Sequence, residues 1–160
     1  MSVAVAALRV AREPAEEEME PLSWMLWCAA RQIDAVRHAL AELRLQAFAR
    51  ALLQWAAPYD AILTPALARA PVPHGTIDPC GPDPEQAYVR SGHFTPYTAI
   101  CNVTGQPAVS LPLYERDDGL PLGVQLMGRP VQEGALLALA AQVERAQPWA
   151  DRRPPVATVA

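Results

Sequence analysis

The chain has 160 residues, of which 51% are hydrophobic and 19% charged, enough for one domain with a real core and unlike the composition of a disordered protein. A formal charge of −4, with arginines that are scattered and never form a basic run, argues against a nucleic-acid partner. All 13 basic residues are arginine, so the chain contains no lysine.

The apolar stretch from Val3 to Leu8 is short, lacks a basic lead and runs into Arg9, Arg12 and an acidic cluster, so it reads as neither a signal peptide nor a membrane span. Residues 3–12 suit a short helix closed off by Pro14 and Pro21. Around Ser23 to Arg31, Trp24, Trp27 and Cys28 recur at i, i+3 and i+4, the pattern of a brief helix with one apolar face. Asp34 is placed to cap a long helix ending near Trp55, with Val36, Leu40, Leu43, Ala47, Ala51 and Trp55 as its apolar stripe.

Pro58 stops that helix, and residues 61–64 then form a short apolar strand. Residues 71–86 are a proline-rich loop, since Pro71, Pro73, Pro79, Pro82 and Pro84 remove ladder donors. From Ala87 to Val103 the pattern is helical with an interruption near Pro96. Residues 108–113 and 122–127 read as strands joined at Asp117-Asp118-Gly119, apolar on both faces and so expected to be covered on both sides. A helix from Glu133 to Ala146 presents Leu136, Leu139, Ala140 and Val143, and an extended tail starts at Pro148. The expected fold is α/β: a mixed sheet with flanking helices.

Several segments, in order, resemble the amidase signature family. They are Pro58-Tyr59-Asp60-Ala61-Ile62-Leu63-Thr64-Pro65, Phe94-Thr95, Asn102 through Ala108, and Gly119-Leu120-Pro121-Leu122-Gly123-Val124-Gln125-Leu126, with Pro148-Trp149 near the end. The resemblance implies the C-terminal part of the amidase signature fold, so that residues 1–160 make a single partial domain. It also implies carboxamide hydrolysis by a serine, a bridging cis-serine and a lysine. The glycine- and serine-rich segment that carries those groups in the family is not matched in this chain, and neither is the lysine.

Acyl transfer needs an activated nucleophile, a base within hydrogen-bond reach and donors for the oxyanion. Ser110 lies within a strand. Ser91-Gly92-His93 reads as a helix start, and adjacent helical residues point in different directions. Cys101 and Cys28 read as buried, inert thiols and Cys80 as an exposed one on the loop. No catalytic residue is assigned. If residues 95–102 are helical, Thr95, Thr98 and Asn102 share a face, and the resemblance makes that face border the substrate pocket; equally, these side chains can cap a buried turn. No Asp or Glu occurs from Ser91 to Gln106, which departs from the amidotransferase branch and favours a less polar amide.

The three cysteines, odd in number, irregularly spaced and without a CxxC pair or a histidine at ligand spacing, suggest a reducing, cytoplasmic compartment and no metal; no other cofactor is expected. Expected partners are the upstream amidase segment or a second, self-associating copy, with a small amide substrate once complemented. The alternative is a non-catalytic interaction or structural protein that keeps a remnant of the amidase fold.

Overall fold

The computed structural model describes residues 12–152; the helix expected over residues 3–12 lies in the part outside them. A single 3₁₀ turn at Glu16–Glu18 precedes α1 (Pro21–Ala30), α2 (Ala35–Ala56), β1 (Ala61–Pro65), α3 (Pro84–Phe94), α4 (Thr98–Thr104), β2 (Ala108–Glu115), β3 (Pro121–Gly128) and α5 (Glu133–Ala146). The α/β class is the one expected. Contacts divide these elements into two compact units, residues 12–47 with 71–95 and residues 48–70 with 96–152.

In the first unit, Pro21 opens α1 at a position where its missing N–H costs nothing. Glu18 pairs with Arg12 and accepts from the Ala15 N–H at 3.0 Å, and these bonds hold its carboxyl down to about 2. α1 packs on α3, and the Leu22 N–H reaches the Pro79 carbonyl at 3.1 Å, which ties α1 to the proline-rich loop. Asp34 caps α2 as expected, its Oδ1 accepting the Arg37 N–H at 2.8 Å. α3 starts three residues before the expected Ala87, because Asp83 Oδ1 accepts the Gln86 N–H at 2.9 Å and Pro84 sits where a helix tolerates proline. Ser91-Gly92-His93 therefore lies near the end of this helix and not at its start.

The apolar stripe expected on α2 does not become core. Val36 is 69% exposed and Trp55 59%, with Leu40 and Leu43 also exposed; Ala56 alone on this helix is buried. Cys28, expected to be buried, is exposed on α1.

In the second unit, the sheet order is β1-β3-β2, and both ladders are antiparallel where the sequence leads one to expect a mixed sheet. β1 and β2 run in the same direction, as strands linked by intervening helices do, but β3 folds back between them and separates the two. The β2–β3 turn is fixed by Gly119 at φ 78° and by Asp118 Oδ1, which accepts the Leu120 N–H at 3.2 Å; that bond, with Arg116, lowers the Asp118 carboxyl. A bulge at Pro112 and Leu113 frees two β2 carbonyls, and α5 and its tail collect them: Arg152 Nη1 donates to Pro112 O at 2.7 Å and Gln147 Nε2 to Leu113 O at 2.8 Å. The core forms where α5 lays Leu136 and Ala140 on Leu111 and Leu126, with Val109, Leu113, Leu139, Val143 and Trp149 around them. That is the α5 face read from the periodicity.

Candidate functional site

At the end of β3, Gly128 lies opposite Pro107 at the threshold of β2. In an antiparallel ladder such a pair exchanges two hydrogen bonds. The Gly128 N–H bonds to the Pro107 carbonyl at 2.8 Å, but the return bond is impossible because proline has no N–H. Gln106 supplies the missing donor: its side-chain Nε2 reaches the Gly128 carbonyl at 2.8 Å. The residue at 128 must also be small, since a Cβ there would stand 3.3 Å from Leu136 Cβ and 3.4 Å from Pro107 Cγ. Gln106 is thereby buried, 6% exposed, and its Oε1 finds no partner among the described residues.

Gln106 also lines a cavity of about 240 Å³ in the second unit, walled by Leu53, Ala56, Ile62 and Met127 and bounded by Tyr59, Asp60 and Arg129. Arg129 fastens the rim, with Nη2 3.2 Å from Asp60 Oδ1 and Nε donating to the Tyr59 carbonyl at 2.9 Å. The Tyr59 ring stacks at a tilt on Trp55, centroids 5.7 Å apart. The cavity is chiefly apolar with one ion pair at its mouth. The Asp60 side chain is 98% exposed, so the ion pair stands at the rim and not inside the cavity.

The polar residues singled out in the sequence are placed differently. The helical interruption falls at residues 95–97, so Thr95, Thr98 and Asn102 do not share one helix. Thr95 caps α3, its hydroxyl donating to the Ser91 carbonyl at 3.1 Å. Thr98 and Asn102 stand four apart on α4 with exposed side chains. Ser110 sits mid-strand in register with Gln125, itself 5% exposed and donating to Thr64 Oγ1 at 3.4 Å; this is not the sharp turn that presents a nucleophilic serine. Burial pushes the half-buried Cys101 thiol up, away from the thiolate; Cys80 is raised as well, by desolvation and then by Glu20 and Asp78. His38 faces Glu42 one helical turn on, Nε2 to Oε1 3.5 Å. Little in the sequence points to Gln106; the proline after it is the one signal that a ladder donor is wanted there.

Fold and site together define an α/β unit with a chiefly apolar cavity and no assembled nucleophile-and-base pair among the described residues. Comparison with known proteins places it further. The Amidase family model matches residues 9–137, and the chain belongs to that family. AmiB2 of Mycobacterium tuberculosis, an amidase by name, is 45% identical over 106 residues, covering 61% of this chain and 21% of its own. The 6-aminohexanoate-cyclic-dimer hydrolase of Paenarthrobacter ureafaciens is 34% identical over 151 residues, covering 91% of this chain and 31% of that protein. A solved structure of a 6-aminohexanoate cyclic dimer hydrolase superposes with a TM-score of 0.85 at 29% identity, over 97% of this chain and 33% of the other. The chain thus spans a third or less of the length of these relatives. Among the described residues, no helix is long and apolar enough to cross a membrane.

Proposed function

We propose that this chain contributes the C-terminal part of an amidase-type carboxamide hydrolase, supplying core strands and one wall of the acyl pocket, while another segment supplies serine, bridging serine and lysine. The observation that carries this reading is the pairing of family membership over residues 9–137 with a sequence that contains no lysine. Alone, the chain has no group to serve as the family's base and is inactive. Thr98 and Asn102 are assigned to the pocket wall, while the Thr95 hydroxyl secures the end of α3. The absence of Asp and Glu from Ser91 to Gln106 fits an aliphatic, weakly polar amide, and the name of the Paenarthrobacter relative points to the same class. Three free cysteines fit a reducing, cytoplasmic setting.

The test is hydrolysis of the cyclic 6-aminohexanoate dimer and of simple aryl amides by this chain, by a separately expressed upstream amidase segment, and by the two together. Turnover is expected only in the mixture, and Ser110→Ala is expected to leave it unchanged. Turnover by this chain alone that vanishes with Ser110→Ala would refute the reading.

A further inference from the structure

α4 has little of its own to hold it in place. It is seven residues long, too short for a helix to last in water unaided, and it buries none of them. Among the described residues it forms no extensive contact with another element. The Thr104 hydroxyl donates to the Ile100 carbonyl at 2.9 Å and the Gly105 N–H to the Cys101 carbonyl at 2.9 Å, and both bonds stay within the helix and its cap. Gln106 comes next and faces both ways. Its N–H reaches back to the Thr104 hydroxyl at 3.4 Å, while its side chain crosses to the Gly128 carbonyl at 2.8 Å, so one buried residue is bonded to the last turn of α4 and to the end of β3.

A backbone N–H at 107 would complete the ladder without burying a carboxamide oxygen whose partner is missing among the described residues. Proline at 107 with glutamine at 106 gives the same ladder bond a second effect, because it then fastens the residue that follows α4. We propose that Gln106 is a positioning residue for the pocket wall: through Gly128 it fixes where α4 stands against β3, and with α4 the Thr98 and Asn102 assigned to that wall. This rests on the proposed function and adds the group that aligns the wall. Gln106 touches no reacting atom in this scheme and acts through α4. Gly105, at φ 71° with no heavy atom within 4 Å of a Cβ position, leaves the joint between helix and anchor free to swing once the bond is lost.

The experiment is hydrogen exchange at residues 98–105 in the parent chain, in Gln106→Met, and in Gln106→Met combined with Pro107→Ala. The α4 amides of Gln106→Met should exchange about fivefold faster than the parent's, the effect of one net hydrogen bond, when each is read relative to Leu126 and Ala140 in the same sample. Pro107→Ala restores a backbone donor to the Gly128 carbonyl, so the double variant has a whole ladder even where Gln106→Met alone fails to fold, and its α4 should still exchange fast. Return of α4 to parent protection in the double variant overturns the proposal, because it would make Gln106 a ladder donor and nothing more. Parent-like α4 exchange in Gln106→Met overturns it as well. Mixed with the upstream amidase segment and assayed on the cyclic 6-aminohexanoate dimer, the double variant should show KM raised about fivefold with kcat nearly unchanged, since a displaced wall loses binding common to ground and transition states. A lower kcat at unchanged KM would mean only that less protein is folded, and would refute the positioning role. No hydrolysis by the parent mixture, with α4 fast in the variants, removes the amidase reading and leaves Gln106 as the anchor of α4; hydrolysis with α4 unmoved does the reverse.

Discussion

The clamp at Gln106 can be tested by changing one atom. In Gln106→Glu the amide that donates to Gly128 is replaced by a carboxyl at a site 6% exposed. Protonated, the new group still donates an O–H to the Gly128 carbonyl. Ionised, it sets a buried negative charge against that carbonyl, so its folded-state pKa lies above the unfolded value of about 4.3. A group raised in this way contributes its stability in full below the unfolded pKa and loses it as pH rises through the folded one. Each tenfold difference in proton affinity between the folded and unfolded chain is worth about 1.4 kcal/mol, so a folded pKa at or above neutrality costs about 4 kcal/mol at pH 7 and about 1 kcal/mol at pH 5. Urea unfolding of Gln106→Glu and the parent at both pH values isolates the difference, expected at about 3 kcal/mol. Equal destabilisation at pH 5 and pH 7 would refute the clamp, since it would mean that the side chain is in water and bonds nothing.

Gly105 ends α4 at φ 71° with no heavy atom within 4 Å of the place a Cβ would take, so Gly105→Ala has only backbone strain to overcome, about 1 kcal/mol by thermal or urea unfolding. An unchanged or raised stability would show that the left-handed cap is not populated. Aromatic disulfide reagents should modify the exposed Cys28 and Cys80 first and the half-buried Cys101 last, with Cys80 and Cys101 gaining most as pH rises because both thiols are raised. Peptide mapping gives the order, and Cys101 reacting first would contradict its placement.

Local chemistry is legible wherever one segment holds the whole signal. Asp34 announces the start of α2, the spacing of Leu136, Leu139, Ala140 and Val143 announces the buried face of α5, and Asp-Asp-Gly announces the turn into β3. α2 shows the limit of periodicity, which reports what a helix is able to bury and is silent on whether the covering surface belongs to the same chain; Val36, Leu40 and Leu43 have the pattern and remain exposed. Counting Pro84 with the loop misplaces the start of α3, because proline after an Asp cap is a helix opening. The order of the strands is not legible, since nothing within residues 61–65 indicates that β3 and not β2 will be their neighbour. Gln106 is hidden for the same reason: its function arises from a proline beside it and a glycine 22 residues away.

The position of β3 between its two neighbours also orders events on the ribosome. Thr64 and Gln125 are 61 residues apart, so at about 5–20 residues per second β1 leaves the exit tunnel roughly 3–12 s before its partner does. β2 cannot substitute, because its place is on the far side of the strand still to come. Through that interval the Ala-Ile-Leu run of β1 has both edges unmatched, in a segment that carries no charge.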